Sequence, residues 1–228
     1  MSSLDLFGAM YGACGGAFYH KIPCENYTEN WRCSMQQIGR SGWDTFKHLF
    51  FHPDGDLYGV VKDTTQLVKA PPPFSPFTQQ RDWTKTTTLV SNDMENFNLL
   101  FFDPDGNLYG VKEDKLYTGP LPSNSQESWL SSSSTKLVGA SGWSSFNFLF
   151  FDPKGILHGL NFKEHTLHKR SPPTDTTDDW LATSTIIGTN WIYFRFLFFM
   201  SDGLLYAVQY DDEVRLVQGF PPNPSHAP

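Results

Sequence analysis

An aromatic run that returns four times constrains this chain more than any other feature of its sequence. The run occupies residues 46–51 and recurs at 97–102, 146–151 and 194–199, at intervals of about 50 residues. Each run leads through a turn into a second recurring stretch, which reads Leu-Tyr-Gly-Val at its first two occurrences. A period of this length is typical of solenoids, propellers and other arrays. The repeat therefore predicts the fold more securely than local propensity does.

Each period contains four segments of strand length. The aromatic run is apolar on both faces, which predicts an inner strand buried between neighbouring sheets. Turns rich in Pro and Gly follow it, for example at 103–106, and predict a hairpin into the second strand. A third strand ends at prolines such as Pro120, because proline cannot donate to a ladder. A fourth strand rich in Ser and Thr, closing for example on Val138-Gly139, suits an edge that faces water.

Four antiparallel strands per period predict an all-β fold, a β-propeller of four-stranded antiparallel blades. A β-solenoid is disfavoured because its coils are shorter and its strands parallel. A β-sandwich is disfavoured because it would not need the same aromatic run each time. We expect one domain over residues 1–228, made of a partial repeat, four repeats and a tail, at approximately 1–30, 31–82, 83–128, 129–179, 180–222 and 223–228.

The sequence leaves the number of blades between five and four. Residues 6–9 match the second strand of the repeat and residues 18–23 match the third, so the chain is expected to start in mid-blade. It also stops in mid-blade, at Pro221-Pro222. Because no aromatic run precedes Leu6, either a fifth blade is shared or incomplete, or four blades close and one hairpin is surplus. Five blades are favoured over four.

Composition and charge exclude several classes of partner. The formal net charge is −7 and Lys and Arg form no cluster, which argues against nucleic acid and against an anionic membrane surface. The apolar runs are too short to insert across a membrane. No basic segment followed by a long apolar stretch opens the chain, so we expect a cytoplasmic protein or one released without a signal peptide, and extracellular action stays compatible with either.

The residues that could hold a metal or perform catalysis form no recognisable motif. The three cysteines, Cys14, Cys24 and Cys33, fit a reduced compartment, with a bridge between Cys24 and Cys33 as the alternative. The acidic turn at 103–107 lacks the spacing and the closing glutamate of an EF-hand. No nucleophile elbow or phosphate-binding loop is present. We therefore expect neither a cofactor nor an enzyme.

One pattern of residues recurs in register through nearly the whole chain. It is most complete in Asn30-Trp31, Ile38-Gly39, Gly42-Trp43, residues 46–51, Gly55 and residues 57–60. This pattern resembles the N-acetylglucosamine-binding tachylectins, five-bladed propeller lectins of invertebrate innate immunity. The resemblance implies a multivalent lectin that recognises N-acetylated sugars on glycan surfaces, with an oligomer compatible with that function. The alternative is a non-catalytic propeller scaffold that binds protein partners.

Two dipeptides in each repeat carry the groups that a sugar pocket needs. Tryptophan can cover the C–H face of a sugar ring, and a carboxylate, an amide or a backbone group can bind its hydroxyls. The alternative is that the tryptophans wedge blades together while Asp or Asn caps a turn. Only the resemblance favours sugar over this alternative. The expected carbohydrate-binding residues are Asn30, Trp31, Gly42, Trp43, Asp82, Trp83, Trp129, Gly142, Trp143, Asp179, Trp180, Asn190 and Trp191.

The repeats depart from one another at these positions. In the second repeat Met94 takes the place of tryptophan and Asp93 that of glycine. In the third repeat Ser128 precedes Trp129 where the others have Asp or Asn, and in the fourth Asn190 replaces the glycine. The sites are therefore not equivalent, and the second repeat is expected to be the poorest.

Overall fold

The computed structural model describes residues 2–4, 10–21, 35–200, 202–210 and 214–222 of the 228-residue chain. These residues form five antiparallel sheets, numbered here as blades 1 to 5 in chain order. The strands of blade 1 are β1 (Ser2–Leu4), β2 (Met10–Cys14), β3 (Ala17–Lys21) and β4 (Gln36–Gly39); of blade 2, β5 (Phe46–Phe51), β6 (Leu57–Val61), β7 (Leu67–Ala70) and β8 (Thr88–Ser91); of blade 3, β9 (Phe97–Phe102), β10 (Leu108–Lys112), β11 (Lys115–Gly119) and β12 (Lys136–Gly139); of blade 4, β13 (Phe146–Phe151), β14 (Leu157–Asn161), β15 (Thr166–Arg170) and β16 (Thr185–Gly188); and of blade 5, β17 (Phe194–Phe199), β18 (Leu205–Tyr210) and β19 (Val214–Gly219).

Within every blade, consecutive strands are neighbours and the first strand lies at one edge of the sheet. The four aromatic runs are the first strands of blades 2 to 5. This topology confirms the predicted all-β fold, a five-bladed β-propeller. Blade 5 contains three strands among the described residues, whereas the N-terminal blade, which the sequence led us to expect as shared or incomplete, contains four.

The N-terminal blade differs from its prediction in two ways. Its second strand is Met10–Cys14, which pairs with Ala17–Lys21, so the expected second strand at 6–9 was placed too early. The residues 5–9 themselves lie outside the described part of the chain. The inner strand that the sequence lacked is Ser2–Leu4, which pairs with Met10–Cys14 although it carries no aromatic run. Strands pair through backbone N–H and C=O groups, so a short strand without aromatic residues can fill this place.

The glycine of the Leu-Tyr-Gly-Val stretch has a packing reason. A Cβ placed on Gly110 would lie 2.6 Å from the ring of Phe97, and one on Gly159 would lie 2.7 Å from the ring of Phe146. In blades 2 to 4 the leading phenylalanine of the aromatic run thus folds over the second strand at a point where only a hydrogen side chain leaves room, whereas Ala207 stands at this position in blade 5. This contact ties the two recurring stretches of the sequence to each other.

The chain divides into two compact units. Unit 1 comprises residues 1–95 and 120–133, and unit 2 comprises residues 96–119 and 134–228. In unit 1 the strands β1 and β5 are neighbours, and in unit 2 β13 lies beside both β9 and β17. First strands of consecutive blades therefore lie side by side within each unit, as a propeller requires.

Short helical segments flank the outer strands. No helix in the described ranges has the length and apolarity needed to cross a membrane. The 3-10 turns are Trp43–Thr45, Trp129–Ser131, Trp143–Ser145 and Trp191–Tyr193, and the α-helices are Gln80–Thr84 and Trp180–Thr183.

Candidate functional site

Blades 1 and 2 meet where the loop leaving β4 approaches the stretch that precedes β8. We call this place junction 1/2. The backbone N–H of Arg40 donates to the carbonyl of Thr78 at 2.7 Å, and the N–H of Gln80 donates to the carbonyl of Ser41 at 2.9 Å. Gly42 ends the loop with φ 84°, a left-handed conformation that favours glycine. The side chain of Gln80 lies directly against it.

A cluster of aromatic rings forms the floor of junction 1/2. Trp43 stacks on Phe18 with ring centroids 4.5 Å apart and lies 5.4 Å from Trp83. Trp83 meets Phe46 edge to face at 5.7 Å, and its indole N–H donates to the carbonyl of Pro71 at 2.8 Å. Trp43 and Trp83 are 1% and 3% exposed. Their ring faces are covered by protein and hold the two blades together.

Blades 3 and 4 meet at junction 3/4 in nearly the same arrangement. Gly142 has φ 87°, and the rings of Trp143 and Trp180 lie 5.5 Å apart. Trp180 meets Phe146 edge to face at 5.6 Å, and its indole N–H donates to the carbonyl of Ser171 at 3.0 Å. Trp143 and Trp180 are both buried. Two separate parts of the chain thus build the same constellation of left-handed glycine, paired tryptophans and edge-on phenylalanine.

The acidic residue before each second tryptophan stays exposed. Asp82 bonds Lys85 at 3.0 Å, and about half of its side chain is accessible to solvent. Asp179 accepts a hydrogen bond from the N–H of Ala182 at 3.1 Å and caps the helix Trp180–Thr183. The tryptophans therefore pack between blades, as the alternative to sugar binding proposed. The carboxylates remain at the surface, next to the tryptophans in the chain.

A carboxylate anchors the loop of junction 3/4. Asp114 accepts hydrogen bonds from the hydroxyl of Ser144 at 2.6 Å, the N–H of Ser144 at 2.8 Å and the N–H of Gly142 at 2.9 Å. These hydrogen bonds, that of the Ser144 hydroxyl first, hold the pKa of the Asp114 carboxyl below its ordinary value. In blade 1 the corresponding hairpin residue is Gly16, whose carbonyl accepts from the N–H of Trp43 at 3.0 Å. The hairpin of the preceding blade therefore holds the glycine loop with a carboxylate at junction 3/4 and with a backbone carbonyl at junction 1/2.

The junction between β8 and the stretch before Trp129 is built differently. Ser91 is fully buried, and its hydroxyl oxygen accepts from the N–H of Trp129 at 3.1 Å. The amide of Asn92 donates to the carbonyl of Ser125 at 3.1 Å, and Asn92 forms a parallel bridge with Ser128. Direct hydrogen bonds thus join the two segments of this junction 2/3. Met94, 1% exposed, fills the place of the tryptophan.

The structure pairs the candidate residues across repeats. Trp43 contacts Trp83 and Trp143 contacts Trp180, so the Gly-Trp of one repeat meets the Asp-Trp of the next. Asn30 and Trp31 lie outside the described residues. Asn190 has φ 63°, in the left-handed place of the glycines, and the partly buried Trp191 packs on Phe194 at 4.6 Å. The sequence had grouped these dipeptides within each repeat.

One position that supports the site escaped sequence reasoning. A Cβ on Gly39 would lie 2.3 Å from the indole nitrogen of Trp43, and one on Gly139 would lie 1.9 Å from that of Trp143. The glycine that ends the outer strand therefore makes room for the tryptophan of its junction. Ser91 stands at this position in blade 2, where methionine replaces tryptophan. In this one repeat the glycine and the tryptophan are replaced together, by Ser91 and Met94, and that joint replacement could have indicated from sequence that the two positions are in contact.

The arrangement offers groups for binding. Exposed carboxylates and the Gln80 amide belong to the segments that carry the packed tryptophans. In the ranges that the structure covers, His, Cys, Asp and Glu form no group of three that could hold a metal ion. Cys14 is exposed and unpaired, and Cys24 and Cys33 fall outside these ranges.

Comparison with known proteins assigns the chain to a family. The family model described as Tachylectin matches residues 5–79 and 74–227. The chain belongs to the Tachylectin family. A solved structure described as "The de novo evolutionary emergence of a symmetrical protein is shaped by folding constraints" is 41% identical to this tachylectin-family chain, with a TM-score of 0.83, over 95% of this chain and 87% of that one.

Distant solved structures share the fold with this tachylectin-family chain. Regucalcin from Agrobacterium tumefaciens strain C58, described as a calcium-binding protein, is 12% identical, with a TM-score of 0.52 over 97% of this chain and 77% of that one. A putative gluconolactonase is 14% identical, with a TM-score of 0.54 over 96% of this chain and 73% of that one. At sequence identities this low, the similarity shows that the fold is shared and nothing more.

Proposed function

We propose that this protein is a non-catalytic lectin that binds N-acetylated sugars, of the N-acetylglucosamine type, at junctions 1/2 and 3/4. It recognises glycan-coated surfaces through several weak sites, as in innate-immune recognition. The observation that carries the proposal is the recurrence of one constellation at two junctions. Packing explains the buried tryptophans and helix capping explains Asp179, but at both junctions the aspartate also stays exposed next to the packed tryptophans, where its carboxylate can accept hydrogen bonds from a ligand.

The polar groups at each junction suit a small ligand rich in hydroxyls. At junction 1/2 the side chain of Gln80, whose amide offers a donor and an acceptor, lies against Gly42 of the loop 40–42, and the same short helix carries the exposed carboxylate of Asp82. The buried tryptophans keep this loop and its partner segment at a fixed separation, so the site is formed before the ligand arrives. A preformed site of this kind supports reversible binding.

Weak single sites still produce firm attachment to a surface that carries many glycans. A monosaccharide exchanges good water contacts for protein contacts and offers few apolar atoms, so each site gains little free energy. Two sites on one chain can engage a surface together, which raises avidity by roughly 10²–10⁴ without any new contact. Multivalency is therefore the expected mode of action.

A titration monitored by nuclear magnetic resonance tests both junctions separately. The backbone amides of Gly42 and Gly142 report on junctions 1/2 and 3/4. With ¹⁵N-labelled protein, N-acetylglucosamine should shift both signals, and Asp82→Ala should abolish the response of Gly42 while leaving that of Gly142. Asp63→Ala, a change at another exposed aspartate, is the matched control. The exposed Asp82–Lys85 pair contributes little to stability, so the fold should stay intact.

The scaffold hypothesis predicts a different result. A protein-binding propeller would bind no sugar on a glycan array. Neither glycine amide would then shift when N-acetylglucosamine is added. Both results, obtained with protein whose amide spectrum shows that it is folded, would refute the lectin proposal. A response confined to amides far from both junctions would place the sugar elsewhere.

A further inference from the structure

The stretch between the third and fourth strands is longer in blade 2 than in blades 3 and 4. In each blade the indole N–H of a buried tryptophan donates to a carbonyl at the end of the third strand. The bond from Trp83 to Pro71 spans 12 residues of sequence, whereas the bonds from Trp129 to Pro120 and from Trp180 to Ser171 each span 9. Blade 2 therefore contains three additional residues between two fixed points.

The longer stretch carries two exposed aromatic side chains. Phe74 is 79% exposed and Phe77 is 77% exposed. The equivalent stretches 121–128 and 172–179 contain no aromatic residue. An apolar ring left in water forgoes the free energy of burial, and neighbouring exposed apolar groups commonly mark a binding surface.

The backbone fixes this segment against the candidate site. The N–H of Thr78 donates to the carbonyl of Ser75 at 3.0 Å, and the N–H of Phe77 donates to the hydroxyl of Ser75 at 3.3 Å. The carbonyl of Thr78 in turn accepts from the N–H of Arg40, the first residue of the junction loop. Phe77 therefore lies one residue, about 3.8 Å along the chain, from a hydrogen bond that builds junction 1/2. These hydrogen bonds fix the backbone of Phe77 before any ligand binds.

We propose that Phe74 and Phe77 form a second subsite at junction 1/2, which binds the next ring of an N-acetylated oligosaccharide. This inference rests on the proposed function. The tryptophans of the junction are buried, so the first subsite lacks an exposed aromatic face. The inserted rings supply one beside it, and a pyranose ring presents a C–H face that packs on aromatic carbon. Junction 3/4 lacks the insertion and accommodates a single terminal sugar.

A lipid surface is the competing occupant for two exposed phenylalanines. The chain carries a net charge of −7, which opposes approach to an anionic bilayer. The direct continuity of the segment with the junction loop also favours a ligand that occupies both. Binding of the protein to phosphatidylcholine vesicles that is lost in the double variant Phe74→Ser/Phe77→Ser would overturn the sugar subsite.

The test compares N-acetylglucosamine with its β-1,4-linked trimer at each junction. The amide of Gly42 should report a trimer affinity about three- to tenfold above that of the monosaccharide, the gain expected from one or two aromatic contacts. The amide of Gly142 should report no such gain. In Phe74→Ser/Phe77→Ser the ratio at Gly42 should fall to the ratio at Gly142. Phe220→Ser removes an equally exposed phenylalanine, 85% exposed and outside this segment, and should leave every ratio unchanged.

The outcomes separate this inference from the proposed function. Monosaccharide binding at both junctions with no trimer gain at Gly42 would refute the subsite and leave the lectin proposal intact. No sugar response at either junction would refute both. A trimer gain that survives the double variant would assign the second ring to other residues and also overturn the subsite.

Discussion

Blade 4 carries a buried histidine that should make the fold sensitive to mild acid. His158 is 1% exposed, stacks on Phe150 at 5.7 Å and meets Phe199 edge to face at 4.8 Å. Its Nε2 lies 3.5 Å from Oδ2 of Asp152, and Lys169 is the nearby cation. Burial is the largest effect and lowers the pKa of His158 from 6.5 to about 4, against the smaller opposing influence of Asp152.

The sign of the pH dependence follows from that direction. Above pH 6.5 the histidine is neutral in both the folded and the unfolded chain, so its burial carries no penalty. Between pH 6.5 and 4 the unfolded chain takes up a proton that the folded chain does not, and the free energy of unfolding falls by about 1.4 kcal/mol per pH unit. The loss from His158 reaches about 2 kcal/mol at pH 5 and about 3 kcal/mol at pH 4.

Blade 3 supplies a matched pair of variants. Tyr109 occupies the equivalent position, with Phe101 at 5.7 Å and Phe151 at 5.0 Å. The ring angles, 22° and 63°, match the 21° and 61° of His158. His158→Tyr should therefore fit between the rings of Phe150 and Phe199 and remove the acid sensitivity. Tyr109→His should introduce a second acid-sensitive group at the equivalent position.

Urea unfolding at pH 7.5 and pH 5.0 measures the effect. The wild-type protein should lose about 2 kcal/mol more than His158→Tyr between these two values, and Tyr109→His should lose more than the wild type. Equal losses in the wild type and in His158→Tyr would refute the argument. A loss in His158→Tyr that exceeds that of the wild type would reverse the assigned direction of the pKa.

Three further predictions concern the junctions. Gly139→Ala should destabilise the fold by about 1–3 kcal/mol in urea unfolding, because the new methyl group would overlap the indole of Trp143. Met94→Trp should destabilise alone but much less with Ser91→Gly, which a double-mutant cycle would detect as a favourable coupling above about 1 kcal/mol. Asp179→Ala should lower the free energy of unfolding by about 1 kcal/mol through the lost helix cap, and equal stability would contradict that role.

The fold could be predicted from sequence because every repeat shows the same pattern of strands and turns. The period, the turns and the proline-terminated third strand recur in register, so an error in one blade is corrected by the others. The contact between Gly110 and the ring of Phe97 shows why two of these stretches keep their spacing. The inner strand Ser2–Leu4 could not be predicted in this way. Its place depends on pairing with Met10–Cys14, and nothing in its own three residues repeats the aromatic signal.

The site could be predicted only in part, because its residues belong to two repeats at once. Sequence reasoning named Trp43 and Trp83 correctly as recurring positions but had no means of joining them. Their contact depends on how the loop after one outer strand meets the stretch before the next one. The burial of both rings is likewise a property of the junction. A residue type that suits a sugar face also suits a packed interface, and only the surrounding side chains decide between the two.

Several positions at which the repeats differ from one another lie together at one junction between blades. Met94 lies early in the second repeat and Ser128 directly precedes the third, yet the structure places them at the same junction 2/3. Ser91 belongs there too, since its side chain occupies space that Gly39 leaves to an indole, and its hydroxyl binds the N–H of Trp129. These changes are therefore three parts of one alternative packing. Because the proposed sugar sites require the full constellation, we expect two working sites among the junctions described on both sides.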